Sequence, residues 1–185
     1  MRVDQLVLSV IGASGAAGIA GRTRLQKVIY FVCRHLHIDA RYSPYYYGPY
    51  SEQVARSVES LVARGLVSED VSVLGSEGPF EGRLYSYALT PEGRDYLNVV
   101  RDEHPDEARS VQRFCRSLLE PSPSTKALAV ASKLHIIVGQ SSKPVRETDL
   151  TTRARNFGWQ IEEGDVAEAK RFLRQHGLIR LTPAH

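Results

Sequence analysis

One helix in this chain has both of its ends written in the sequence, and it constrains the fold more than any other feature. Ser51 has the short oxygen-bearing side chain of an N-cap, and Glu52 in the first turn suits the positive end of the helix dipole. Val54, Val58, Leu61 and Val62 then form an apolar stripe at helical spacing. Gly65 follows Arg64 where a left-handed residue would close the helix, and Leu66 is placed to meet Leu61. Beyond Gly65 the period changes. Leu66, Val67, Val71 and Val73 read as one strand, and Leu84, Tyr85, Tyr87 and Leu89 as its partner. Gly75, Gly78 and Gly82 lie between them, so the pair predicts a hairpin with a long loop. Thr90 and Pro91 then restart a helix, as N-cap and first helical residue.

Around this centre the remaining patterns are helical. Residues 3–11 form an apolar first segment. Leu25, Val28, Ile29, Phe31, Val32 and Leu36 predict a heavily buried helix over 24–36. The tyrosine-rich segment 42–50 contains Pro44, Gly48 and Pro49, which forbid a regular helix there. The helix opened at Pro91 pauses at His104-Pro105 and resumes to Leu119. The segment 120–125, with Pro121 and Pro123, has the composition of a linker, dividing the chain into 1–120 and 121–185. The second part repeats one phrase: Leu173-Arg174-Gln175-His176-Gly177-Leu178-Ile179 matches Leu61-Val62-Ala63-Arg64-Gly65-Leu66-Val67 in its helix end and C′ glycine. Either the second part is a degenerate copy of the first, or both helices use a common ending.

Bulk properties exclude several classes. A length of 185 residues with 42% hydrophobic and 24% charged side chains rules out general disorder, a collagen repeat and a disulfide scaffold. No apolar run reaches the ~18 residues of a membrane span. The acidic Asp4 and the lack of a basic leader argue against a secretory signal. Cys33 and Cys115 read as buried thiols, and the expected location is the cytoplasm. A net charge of +3 and a pI near 8.9 permit nucleic-acid binding without requiring it.

The predicted fold is therefore mainly α with a small β-hairpin. The order helix, helix, turn, helix, hairpin, helix is that of a winged helix-turn-helix, followed by a C-terminal helical subdomain. Gly21-Arg22-Thr23-Arg24-Leu25-Gln26-Lys27-Val28-Ile29-Tyr30-Phe31, together with Tyr45-Tyr46-Tyr47-Gly48-Pro49-Tyr50-Ser51, resembles the YwgA-like proteins of bacteria and archaea, a group of predicted regulators. More distantly it is similar to the Panacea domain of antitoxins, with its Leu-Gln-Lys helix and Tyr-Gly-Pro turn. The resemblance is strong over about a quarter of the chain, extends more weakly through the wing hairpin, and does not reach the region after Pro121. It implies either a regulator or an antitoxin-like interaction module.

In the regulator reading, the helix after Ser51 enters a major groove of double-stranded DNA. Gln53, Arg56, Ser57, Ser60 and Arg64 lie opposite its apolar stripe and include the residue types that read base edges. Arg22, Arg24 and Lys27 are expected near phosphates, and a homodimer would link two half-sites. Glu52 and Glu59 beside the face, and Glu77 and Glu81 at the wing tip, oppose an anionic partner. This reading requires Arg56 and Arg64 to point outward without carboxylate partners. If they do not, the alternative is a protein-interaction adaptor using the tyrosine turn, with Tyr46 and Tyr50 as its exposed pair, and an acidic C-terminal face around Glu162, Glu163, Asp165 and Glu168.

Enzyme chemistry is not indicated. Gly12, Gly15 and Gly18, with Asp39 about 20 residues on, have the spacing of a dinucleotide fingerprint. A hairpin follows where a parallel crossover should, so a helix end and loop is the preferred reading. His35 and His37 at i, i+2 point to different sides of a helix, and no Cys/His set accompanies them, so neither metal nor cofactor is expected. Neither cysteine has a nearby His and acid in a nucleophile motif.

Overall fold

The computed structural model describes residues 1–74, 82–120, 123–140 and 149–179. Along these the chain runs α1 (Val3–Ala13), β1 (Ile19–Ala20), α2 (Arg22–His35), α3 (Glu52–Ala63), β2 (Val67–Leu74), β3 (Gly82–Leu89), α4 (Pro91–Glu103), α5 (Pro105–Leu119), α6 (Thr125–Gly139), α7 (Leu150–Asn156) and α8 (Glu163–Gln175). The protein is mainly helical with one small antiparallel sheet. No helix among the described residues is long and apolar enough to cross a membrane.

The expected caps form. Ser51 Oγ accepts the Val54 N–H at 3.1 Å. At the other end Gly65 sits at φ 69°. Leu66 N–H reaches the Leu61 carbonyl and Gly65 N–H the Val62 carbonyl, each at 2.9 Å. These are the two bonds of a Schellman motif. α8 ends the same way, with Gly177 at φ 64° and Leu178 N–H on the Leu173 carbonyl at 2.9 Å. The repeated phrase is thus a repeated cap. No strand follows it at 178–179, and residues 180–185 lie outside the described part. Thr90 joins two elements: its Oγ1 accepts Gly93 N–H at 2.9 Å to cap α4 and donates to the Gly65 carbonyl at 2.7 Å.

The sheet has the order β1-β3-β2. β2 and β3 pair from Val67 opposite Leu89 to Leu74 opposite Gly82. The expected loop lies mostly in 75–81, so Glu77 and Glu81 are outside the described residues. β1 adds an edge, with Ile19 opposite Tyr87. The sequence does not predict it, because two residues carry no period. Residues 7–11, where a dinucleotide fingerprint needs a strand before its glycines, are helical and belong to α1.

α1 and α2 are the central rods. Every residue from Gln5 to Ile11 and from Leu25 to Cys33 is buried. α1 packs on α3, α4 and α5, whereas α2 carries α6 on its other side, and α6 carries α8. The division expected near 121 falls between α5 and α6, yet a single apolar cluster runs through both sides. Phe31 of α2 meets Phe172 of α8 with ring centroids 5.4 Å apart. Tyr30 Oη and His135 Nδ1 of α6 lie 2.6 Å apart.

Candidate functional site

The outward face of α3 carries the residues expected there. Gln53, Arg56, Ser60 and Arg64 are exposed, and Ser57 is half-buried, its hydroxyl donating back to the Gln53 carbonyl at 2.9 Å. The arginines are not free. Arg56 Nη2 lies 3.2 Å from Glu52 Oε2 one turn earlier. Arg64 Nη1 lies 3.9 Å from Asp4 Oδ2, with its guanidinium 5.3 Å from the Tyr96 ring. Glu59 is exposed on the same helix, so Glu52, Arg56, Glu59 and Arg64 give this helix surface no net positive charge.

The three cations expected near phosphates are also engaged inside the chain. The Arg22 guanidinium stacks 3.5 Å over the Tyr85 ring, donates to Tyr87 Oη at 3.1 Å and lies 3.5 Å from Glu69 Oε2. Arg24 is half-buried and donates to the Pro123 carbonyl. Lys27 does not stand as the sequence reading expected. It is 2% exposed, and its ammonium donates to the Pro49 carbonyl at 2.6 Å. Burial, then the nearby Lys133 charge, brings its pKa down to about 8. The cause is its place on α2, whose entire middle is enclosed by neighbouring elements.

That burial serves the tyrosine segment. Ser43 and Tyr50 exchange backbone hydrogen bonds at 3.0 and 2.9 Å, and Tyr45 and Gly48 exchange bonds at 3.2 and 3.0 Å. The segment is thus a miniature hairpin with Tyr46 and Tyr47 at its tip. Gln26 clamps its far end, donating to the Ser51 carbonyl at 2.9 Å and accepting the Ser51 N–H at 3.2 Å. Lys27 holds Pro49, and Tyr42 Oη donates to the Gln26 carbonyl at 3.0 Å. From the C-terminal half, Trp159 Nε1 donates to the Tyr45 carbonyl at 2.8 Å. Gly48, at φ 96°, lies so close to α6 that an added methyl would stand 3.1 Å from Ser132 Oγ and 3.2 Å from Lys133 Cγ.

With its backbone fixed from both halves, the hairpin turns three rings outward. Tyr45, Tyr46 and Tyr47 are 62%, 73% and 59% exposed. Tyr46 and Tyr47 meet edge to face with centroids 4.8 Å apart. The expected exposed pair, Tyr46 and Tyr50, is corrected accordingly. Tyr50 is half-buried, lies 5.3 Å from the Tyr45 ring and lines a cleft of about 120 Å³ beside Leu25, Val54, Val58 and Tyr87. That cleft is far below the ~300–1,000 Å³ of ordinary ligand sites.

Sequence reasoning missed Gln26, Lys133 and Trp159 as parts of this region. A signal was present for Lys133, a cation inside the apolar run of α6. For Gln26 and Trp159 there was none, since their partners are 25 and 114 residues away in the chain. Cys33 and Cys115 are free and buried, and burial pushes each thiol up to about 12. The His35 ring stacks on Phe114 at 4.1 Å.

The chain is similar to the uncharacterized protein YwgA of Bacillus subtilis (strain 168), with 33% identity over 94 residues. That match covers 50% of this chain and 54% of YwgA, so the chain spans about half the length of that relative. No protein-family model matches.

Proposed function

We propose that this chain is a YwgA-like winged-helix protein that works as a protein-interaction adaptor, its partner docking on the tyrosine hairpin. The observation that carries the reading is the exposure of three adjacent aromatic rings on a backbone held from both halves of the molecule. Large aromatics left in water on a rigid support mark interaction surfaces, because they bring contact area at little further entropic cost. The winged-helix assignment is supported by the order α1-β1-α2-α3-β2-β3 and the sheet order β1-β3-β2.

A second reading is a DNA-binding transcriptional regulator, favoured by the exposed Gln53, Arg56, Ser60 and Arg64 on α3. The pairing of Arg56 with Glu52 and of Arg64 with Asp4 weighs against it. A phosphate could displace an exposed ion pair worth only ~0.5 kcal/mol, but the carboxylate would remain beside the new anion.

Capture from native cell extract separates the two, with proteins identified and nucleic acid sequenced from the same eluate. The adaptor reading expects a salt-tolerant protein partner lost from a Tyr46→Ser/Tyr47→Ser variant and retained by Arg56→Ala/Arg64→Ala. DNA recovery with a steep salt dependence, lost with the arginines and kept without the tyrosines, would overturn it in favour of the regulator.

A further inference from the structure

Beside the tyrosine hairpin lie two cations whose surroundings differ from those of the paired arginines. Arg22, Arg56, Arg64 and Arg109 each have a carboxylate within 4 Å, and so does Lys126. Lys27 and Lys133 have no such partner among the described residues. The Lys133 charge adds to burial in lowering the Lys27 pKa. Lys27 is sealed in, with the Pro49 carbonyl as its acceptor. Lys133 is half-buried; its ammonium lies 5.6 Å from the Trp159 ring centroid, and its stem runs past Gly48. Trp159, itself buried, ties the two places together from beneath: it bonds the Tyr45 backbone, and Phe157 stacks on it at 4.8 Å.

Two like charges in a partly dry site favour an incoming anion, and the exposed rings favour an apolar or aromatic side chain next to it. A nucleic-acid strand fits less well. It needs a cationic track following several phosphates, whereas Lys27 is enclosed and leaves Lys133 as the accessible ammonium of the pair.

We propose that Lys133 and the exposed edges of Tyr45, Tyr46 and Tyr47 receive an acidic, aromatic-bearing segment of a protein partner. One carboxylate seats on the Lys133 ammonium and the aromatic side chain packs on the Tyr46–Tyr47 tip. This rests on the reading of the hairpin as a partner-binding surface and names the chemistry of what it binds.

Trp159 is the chain's one tryptophan and therefore reports on this place alone. The full chain is titrated with the peptide acetyl-Glu-Glu-Phe-Glu-Glu-amide, with its all-glutamine counterpart, and with a twelve-residue oligo-dT. The glutamate peptide should change Trp159 emission saturably, and Lys133→Gln should weaken it by about tenfold, as expected for one charge-assisted contact. Lys133→Arg should restore most of the affinity, and Tyr46→Ser/Tyr47→Ser should remove it. Because Lys133 bears on folding as well as on charge, each variant's melting curve is recorded alongside. Equal binding of the glutamine peptide, no saturable change, or tighter binding of oligo-dT would overturn the proposal. An extract partner that depends on the tyrosines but is indifferent to Lys133→Gln refutes this inference and leaves the adaptor reading standing. A partner indifferent to the tyrosines refutes both.

Discussion

Lowering the pH from 7 to 5 should loosen the joint between α2 and α6 through a single histidine. His135 is enclosed between Tyr30, Phe31 and its own helix, with Tyr30 and Phe31 ring centroids at 5.5 and 6.4 Å. In the neutral ring Nδ1 accepts the Tyr30 hydroxyl at 2.6 Å. A proton on Nδ1 would force the Tyr30 hydroxyl to turn its own hydrogen away and would leave a full charge in a poorly solvated place. Burial, with the Arg34 charge adding to it, therefore lowers the pKa from 6.5 to about 4, against a backbone hydrogen bond at Leu178 that raises it. Between those values the unfolded chain binds the proton and the folded chain does not. Stability is therefore complete above pH 6.5 and falls as the pH drops toward 4. Taking the two pKa values, the loss from pH 7 to pH 5 is about 2 kcal/mol, or roughly 5 °C in Tm for a chain of this size. Burial lowers the pKa of His35 and His176 as well, so the measurement is a comparison with His135→Gln, whose amide oxygen can still accept from Tyr30. Urea denaturation at pH 7, 6 and 5 should show a slope against pH shallower in the variant by about that amount. Parallel slopes would refute the reasoning.

Three further outcomes follow from the same geometry. Ser51→Ala removes the N-cap of α3 and the hydroxyl donor to the Ala40 carbonyl, and should cost about 1–2 kcal/mol in chemical denaturation. For Lys27, the folded chain gives up its proton at about 8 and the unfolded chain near 10.5. Stability should therefore gain up to about 3 kcal/mol from this group as pH rises across that window, and the gain should be missing in Lys27→Met. Cys33 and Cys115, with thiols raised to about 12, should resist a disulfide-exchange reagent at pH 8 and both react in denaturant; fast labelling of the native chain would contradict their burial.

Legibility in the sequence followed the range of the interactions. The caps at Ser51, Gly65, Thr90 and Gly177 are local chemistry, settled by residues within one or two turns, and the sequence shows them. The burial of 25–33 is likewise a matter of period. What sequence period cannot convey is which covered residue carries the charge. Lys27 falls on the buried face of α2 only because α6 and the tyrosine hairpin close over it, and both arrive from elsewhere in the chain. The same distance hid the pairing of Arg64 with Asp4, sixty residues apart. Pro44, Gly48 and Pro49 mark the tyrosine segment as a turn, but its hairpin register decides which rings face water, and the register rests on the Gln26, Lys27 and Trp159 bonds.

Natural sequences agree with their folds at most levels, and the disagreements gather where function requires them. Here two disagreements meet at one place. A buried ammonium lies opposite a carbonyl instead of a carboxylate, and three tyrosines of the hairpin it anchors face water. Each is unfavourable for folding alone: the first lowers the lysine pKa, and the second leaves apolar ring surface wet. A stability-only design would place methionine at position 27 and polar residues at 45–47. The Lys27 bond instead fixes Pro49, and Pro49 fixes the base of the hairpin that displays the rings. The cost and the exposed surface are thus two ends of one hydrogen-bonded device. α3, by contrast, has its charges balanced by Glu52 and Asp4 and shows no comparable departure. That difference is the reason to look for a partner at the tyrosines before looking for an operator at α3.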